Sequence, residues 1–228
     1  MKAKLVALFK DNKQFLMFVL AMLLMRTAVA DWYLVPSSSM YPNLVEGDRV
    51  FAYKLAYDIK LPFTDVVIKK VSEPQRGDIV TFASPEGGTR LVKRVIGLPG
   101  DTIEMVDGRL IVNGEMMEYQ AVDASSVHLT PQREYQGQQL VYQESLGEFK
   151  HDIIAMPERA ALRNFEPKII PADSYFMMGD NRDNSNDSRF YGLVKRELIG
   201  AKVVRLFFSL DPDNYYLPRL ERTIGKAI

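Results

Sequence analysis

Apolar residues are arranged in two different ways along this chain, and the change falls near residue 35. From Phe15 to Met25 they run without a break, Phe-Leu-Met-Phe-Val-Leu-Ala-Met-Leu-Leu-Met. Arg26 interrupts the run, and apolar character resumes through Ala28-Val29-Ala30 and Trp32-Tyr33-Leu34-Val35. Beyond residue 40 the runs are short, rich in β-branched residues, and bounded by Gly, Pro, Asp and Asn. This pattern predicts strands over 49–53, 78–82, 90–96, 102–106, 109–112 and 198–208. Asp107-Gly108 and Asn113-Gly114 are tight-turn signals on either side of one of them. Helix is expected only in the N-terminal run and in short turns, such as one near Glu197. The expected fold class is therefore mostly β, an antiparallel β-sheet core preceded by one N-terminal helix. The stretch 113–171 is more polar, is Gln-rich from Gln132 to Gln143, and reads as a smaller inserted β subdomain. The expected divisions are a leading segment at 1–13, an apolar segment at 14–34, a core formed by 35–112 and 172–228, and the insert.

The apolar segment has two readings. Lys2, Lys4, Lys10 and Lys13 stand against a single acid, Asp11, ahead of an apolar core that ends in Ala28-x-Ala30. Those are the parts of a cleavable secretory signal. They also suit an uncleaved transmembrane anchor of roughly 20 residues, with Arg26 snorkelling at the far end and Trp32 and Tyr33 at the interface. Arg26 between the apolar core and the Ala-x-Ala favours the anchor. Either way the lysines stay in the cytoplasm and everything beyond Val35 lies outside it.

Composition removes several classes of function. Lys+Arg and Asp+Glu both number 29 in 228 residues, so no basic excess points to nucleic acid. Cysteine is absent, which removes disulfides, thiolate metal sites and a Cys nucleophile together. His128 and His151 are isolated in sequence with no carboxylate cluster beside them, so no metal site is expected. No Gly-x-Gly phosphate loop is present and no cofactor is expected.

Candidate chemistry lies in four places. Pro36-Ser37-Ser38-Ser39-Met40-Tyr41-Pro42-Asn43-Leu44 pins three serines between two prolines, a rigid turn that can present a hydroxyl; taken alone, such a segment is more often just a polar loop. In Leu91-Val-Lys93-Arg94-Val-Ile-Gly97-Leu-Pro-Gly-Asp101, strand alternation puts Lys93 on the face opposite Val92 and Arg94. A lysine desolvated among Leu91, Val92, Val95 and Ile96 can act as a neutral base, and an exposed lysine on an edge strand is the plain alternative. Gly179-Asp-Asn-Arg-Asp-Asn-Ser185-Asn-Asp187-Ser-Arg189 is dense enough to suggest a calcium loop, but counted from Asp183 it places Ser188 where Gly is needed and Val194 where Glu is needed. A loop held by Asx turns and an Asp187–Arg189 ion pair, offering Ser185, fits better. Arg76-Gly77-Asp78 matches an adhesion tripeptide but starts a predicted strand, so a turn is expected.

Together the N-terminal segment and these four motifs, in this order, resemble bacterial type I signal peptidases, membrane-anchored Ser/Lys proteases that release exported proteins from the membrane. The resemblance implies that Ser39 is the nucleophile and Lys93 its general base. It implies that Ser37 supplies the oxyanion hole together with the Ser39 backbone N–H. Ser185 would orient the lysine amine, and Asp187 and Arg189 would support the loop. Small residues at the first and third positions before the cut would sit in shallow pockets lined by Val35, Met40, Leu44 and Val92. Signal peptides of exported preproteins and the lipid bilayer are the implied partners. The implied location is the inner membrane, single-pass, with the catalytic domain on the periplasmic face. Two features depart from the family pattern: Ser38 stands where Gly is frequent, and the chain has one apolar segment where some members span twice.

The chemistry also stands on the residues alone. A serine hydroxyl needs a base, and neither histidine sits in a triad-like motif, which leaves a neutral lysine. The open alternatives are a dedicated pilin- or conjugation-type processing peptidase on the same scaffold, and a non-catalytic anchored β-domain that binds partners.

Overall fold

A computed structural model describes residues 12–123 and 137–222. The lysines before residue 12, His128 and the first part of the Gln-rich stretch lie outside the described residues.

Among the described residues the fold is built on antiparallel sheets. The largest has eight strands. Its path runs from β1 (Ala30–Leu34) through β2 (Asp48–Tyr53) to the long β16 (Ile199–Asp211). It continues through β5 (Ile79–Ala83), β6 (Arg90–Gly97) and β14 (Ser174–Met178) to β15 (Val194–Lys195), and β17 (Leu217–Pro218) adds to the end of β16. The pairing register of β16 shifts against both β2 and β5, and irregularities of this kind bend a strand and increase its twist. The sheet curls accordingly. Although three strands separate β1 from β6 in the pairing order, the Arg90 guanidinium on β6 stands 4.6 Å over the Tyr33 ring on β1. Val35, Met40, Leu44, Val50, Ala52, Ile79, Ala201, Val203 and Leu206 fill the space inside the curl.

The N-terminus differs from the sequence expectation at one boundary. Helix α1 (Lys13–Leu24) continues as a π-helical turn, Met25–Val29, and then the chain becomes β1. Residues 30–34, expected as the end of an apolar anchor, pair with β2 from Ala30↔Tyr53 to Leu34↔Arg49. Ala30 and Asp31 are buried there, and Trp32 and Tyr33 are partly buried in the strand. Arg26 does not extend freely either: it pairs with Asp31 at 2.9 Å and covers Trp32. Period-two pairing with β2 satisfies these backbone groups, so apolarity alone did not mark the end of the helix. No helix among the described residues is long and apolar enough to cross a membrane.

Two smaller sheets follow β6. In one, β7 (Thr102–Val106), β8 (Arg109–Val112), β9 (Glu115–Met116) and β13 (Phe165–Ile169) pair in the order β13-β7-β8-β9. In the other, β10 (Glu118–Val122), β11 (Leu140–Leu146) and β12 (Phe149–Ala155) form a meander. β7 and β8 thus leave the large sheet, and the change of sheet falls near Leu98–Asp101, not at residue 112. Gly100, at φ +88°, makes that turn where an L side chain is strained. The sheets are joined by one apolar cluster in which Phe176 and Met178 of β14 meet Ile103, Met105, Leu110 and Leu146. A hairpin of β3 (Asp58–Lys60) and β4 (Val67–Lys70) extends from the other side.

Phe176 is fully enclosed and packs 5.6 Å from the Phe165 ring, so it carries much of the contact between the sheets. Phe176→Ala is expected to cost about 3–5 kcal/mol of stability, read as a lowered midpoint in urea unfolding. A midpoint within error of the parent would contradict this account.

Candidate active site

The turn after β1 is fixed from both sides. Ser38–Met40 form one 3-10 turn, and Met40 and Leu44 point into the cluster inside the curled sheet. Tyr41 and Val45 point the other way, against Val141, Ile154 and Met156 of the insert. Each enclosed apolar side chain contributes about 1.5–3 kcal/mol, so the turn is held by packing on two faces. Its backbone is then stitched to the loop after β14. Asn181 N–H donates to the Ser39 carbonyl at 3.1 Å, and Asn181 Nδ2 donates to the Ser38 carbonyl at 3.1 Å. Asn184 Nδ2 donates to Ser38 Oγ at 2.9 Å. Ser38 therefore uses its hydroxyl as an acceptor, and its backbone is not left-handed, so this position does not require glycine.

Because the sheet curls, this turn lies against β6. A 2.5 Å hydrogen bond joins Lys93 Nζ and Ser39 Oγ, and Ser37 Oγ lies 3.3 Å from Ser39 Oγ. Lys93 is only 3% exposed. Burial pushes its amine from the ordinary 10.5 down to about 8; the carboxylates of Asp187 and Asp180 act in the opposite sense, and Arg189 adds to the lowering. The cause is desolvation of the ammonium form. The result is a buried amine in contact with a serine hydroxyl, able to accept its proton near neutral pH.

The loop from Gly179 to Arg189 closes the other side. Asp187 is fully buried and grips Arg189 through two 2.8 Å contacts while accepting from Gly179 N–H at 3.1 Å. These donors hold its carboxyl below the ordinary range against the upward push of burial. Asp187 also caps the short helix α2 (Ser188–Tyr191). Gly179 has a steric role. A Cβ there would stand 2.4 Å from the Ser39 carbonyl oxygen and 2.3 Å from Ser185 Oγ. Ser185 is buried, and its hydroxyl is among the groups that lower the Asp187 carboxyl. The hydrogen bond of the Lys93 amine goes to Ser39, and none joins it to Ser185.

Of the apolar residues expected to line substrate pockets, Val35, Met40 and Leu44 are sealed in the core at 3%, 1% and 0% exposure. They form the floor of the site rather than its surface, because the curled sheet closes over them. Val92 packs against the same cluster and stays partly exposed.

Three arrangements were not visible in the sequence. Arg94, on the face of β6 opposite Lys93, makes a bidentate pair with Asp180 at 2.8 and 2.7 Å. Asn43 Nδ2 donates to Asp180 Oδ2 at 2.8 Å and to the Asp152 carbonyl at 2.7 Å, tying the serine turn to the Arg94 anchor and to β12. His151, isolated in sequence, is brought opposite Glu144 by the β11–β12 register and lies 3.5 Å from that carboxylate and 3.6 Å from Asp180. Arg182 and Arg94 already occupy those carboxylates, and burial holds the imidazole well below its ordinary range. Arg76-Gly77-Asp78 is a structural turn: Arg76 pairs with Asp101 at 2.9 Å and Asp78 accepts from Tyr57 at 2.7 Å.

Asn43→Ala removes two buried acceptors' partner without touching the reacting atoms. We expect kcat to fall about tenfold or more with KM little changed, since a small displacement between two groups that react together costs rate. Unchanged kcat would mean that packing alone sets the turn.

Comparison with known proteins follows the same residues. Positions 8–208 match the family described as "Signal peptidase, peptidase S26". Signal peptidase I of Pseudomonas aeruginosa is 38% identical over an alignment covering 94% of this chain and 78% of its own length. Signal peptidase I of Aquifex aeolicus is 30% identical, covering 88% and 84% respectively. A crystal structure of a signal peptidase I from Enterococcus faecalis is 32% identical, covering 59% of this chain and 99% of that one, with a TM-score of 0.36.

Proposed function

The chain belongs to the signal peptidase family, peptidase S26, and we propose that within it Ser39 is the attacking group and Lys93 the general base. The activity is that of a serine endopeptidase that removes signal peptides. The observation that carries the residue assignment is the 2.5 Å hydrogen bond between Ser39 Oγ and a lysine amine buried to 3% exposure.

Neutral Lys93 takes the Ser39 proton as Oγ attacks the scissile carbonyl. The resulting oxyanion accepts hydrogen bonds from the Ser37 hydroxyl and the Ser39 backbone N–H, donors whose loss typically costs ~10²–10³ in rate. The Lys93 ammonium then protonates the departing amine. A water that gives its proton to Lys93 hydrolyses the acyl group on Ser39. Ser185, buried on the loop that closes the other side of the site, is the side chain available to hold the amine in line, and the Asp187–Arg189 pair holds that loop. The substrate lies extended between two strand edges: the edge of β1 not paired with β2, and the 90–93 edge of β6, beyond the point where its pairing with β14 ends at Arg94. Main-chain pairing there tolerates many sequences, as varied signal peptides require.

Helix α1 is the membrane anchor in this reading. None of its residues is buried, and Phe15, Met17, Phe18 and Leu20 are each more than half exposed, a contiguous apolar surface with no role in water. The leading lysines then lie in the cytoplasm and the sheets on the periplasmic face of the inner membrane.

The test is incubation of purified protein with a labelled preprotein, followed by sequencing of the new N-terminus. Ser39→Ala and Lys93→Ala should each abolish cleavage while the unfolding temperature stays near the parent's. Residual activity near the parent's in either variant would sink the assignment. The pH profile supplies a second readout. Only the neutral amine is a base, so kcat/KM should fall about tenfold per pH unit below about 8 and level off above it. A profile flat down to pH 6 would exclude Lys93 as the base.

A further inference from the structure

Where α1 gives way to β1, three cations gather around one carboxylate. Arg26 Nε donates to Asp31 Oδ1 at 2.9 Å. Lys54 Nζ lies 3.6 Å from Asp31 Oδ2 and donates to the Arg26 carbonyl at 2.8 Å. Arg90 arrives from β6 and lies over the Tyr33 ring at 4.6 Å, just as Arg26 lies over Trp32 at 5.0 Å. Asp31 is only 8% exposed, while the Arg26 side chain is about half exposed. Three positive charges against one leave a surplus of two. The surplus is felt within the cluster: burial is the first cause of the lowered Lys54 amine, Asp31 opposes it, and Arg90 and Arg26 both add to the lowering. Aromatic faces beneath the guanidiniums orient the planar donors without neutralising them. Arg26 and Lys54 lie outside the proposed active site, and Arg90 enters it only through its backbone, at the start of the β6 edge assigned to substrate.

The position of the cluster selects the ligand. It stands at the end of α1, directly above the exposed Leu20, Leu23 and Leu24. A ligand that satisfies both features has an anionic head and an apolar tail. We propose that Arg26, Lys54 and Arg90 form a cradle for the phosphate of an anionic phospholipid headgroup, at the level where α1 leaves the bilayer. The proposal rests on the reading of α1 as the membrane anchor. The phosphodiester's free oxygens match the fork of an arginine and the point charge of a lysine. Its chains would lie along the apolar face of α1, and its charge would offset the local surplus. The cradle would also fix the height of the sheets above the bilayer, and so the height of Ser39.

The full chain in detergent, analysed by native mass spectrometry with added phosphatidylglycerol, phosphatidylcholine or inorganic phosphate, tests this directly. The parent should retain phosphatidylglycerol in preference to phosphatidylcholine, and millimolar inorganic phosphate should not displace it. Arg90→Gln, which breaks no ion pair, should weaken retention about fivefold, following from about 1 kcal/mol per basic residue near an anionic surface. The triple variant Arg26→Gln/Lys54→Gln/Arg90→Gln should weaken it by roughly a hundredfold on the same scale. Arg90→Lys, which keeps the charge, should stay within about twofold of the parent, which separates charge recognition from a fold defect. Equal retention by parent and triple variant overturns the cradle. Displacement of the lipid by inorganic phosphate makes it a free-anion site and overturns the lipid assignment. The anchor is read separately by alkaline carbonate extraction of membranes. If the protein is extracted, the anchor reading fails, while binding of dihexanoylphosphatidylglycerol below its micelle concentration still reports on the cradle.

Discussion

An amine serves as a base near neutral pH only while water is kept from its ammonium form, and with Lys93 proposed as the base the architecture around it answers that requirement. Lowering the amine from 10.5 to about 8 costs the charged form on the order of 3 kcal/mol, which the surrounding fold must supply as burial. The burial comes from distant parts of the chain. The turn at 38–40, the β6 strand and the loop from Gly179 meet around one nitrogen because the register of β16 shifts and the sheet curls far enough to bring β1 over β6. A flat sheet with the same strand order would leave β1 and β6 three strands apart and Lys93 in water.

The serine side of the pair is constrained differently. As the proposed attacking group, Ser39 must stay exposed enough to meet a peptide, so it cannot be held by burying its own side chain. Its neighbours are buried instead, Met40 and Leu44 inward and Tyr41 and Val45 toward the insert. The backbone is fixed by asparagines, which bind carbonyls without bringing charge near the amine. The insert takes part in this. β12 meets the catalytic loop through the Ile154–Asn181 bridge, with Ile154 N–H donating to the Asp180 carbonyl and Arg182 N–H to the Ile154 carbonyl, each at 2.9 Å.

What could be read from the sequence was local. Strands predicted at 49–53, 90–96, 102–106 and 109–112 lie at Asp48–Tyr53, Arg90–Gly97, Thr102–Val106 and Arg109–Val112, because alternation and turn residues mark them within a few positions. The motifs at 36–44, 91–101 and 179–189 could be picked out for the same reason: each is dense in unusual residues over a short span. β1 could not, since its apolar residues continue those of α1 and only pairing with β2 separates the two. Arg94–Asp180 and Asn43–Asp180 join positions 86 and 137 residues apart, and ordinary Arg, Asn and Asp residues carry no sign of such pairing. Val35, Met40 and Leu44 show the same limit from the other side. Their position beside the motif suggested substrate contact, and the curl of the sheet enclosed them.

The carboxylates near Lys93 pose the last problem, because an acid close to a lysine favours the charged amine. Two are present, Asp180 and Asp187, and both act in that direction. Each is committed to an arginine through a two-point contact, Asp180 to Arg94 and Asp187 to Arg189. Arginine suits this task, since it remains charged in any environment and its fork fixes the carboxylate's orientation as well as offsetting its field. The neighbours Lys93 and Arg94 on one strand thus have opposite electrostatic roles on opposite faces. Burial lowers the Lys93 amine to about 8, within reach of neutral pH, without a carboxylate of its own. Arg94 stays charged and holds in place the carboxylate that would otherwise return the proton to Lys93. Exchanging the two would give the active-site face a cation that cannot lose its proton, so the order of the pair is set by acid–base chemistry as much as by packing.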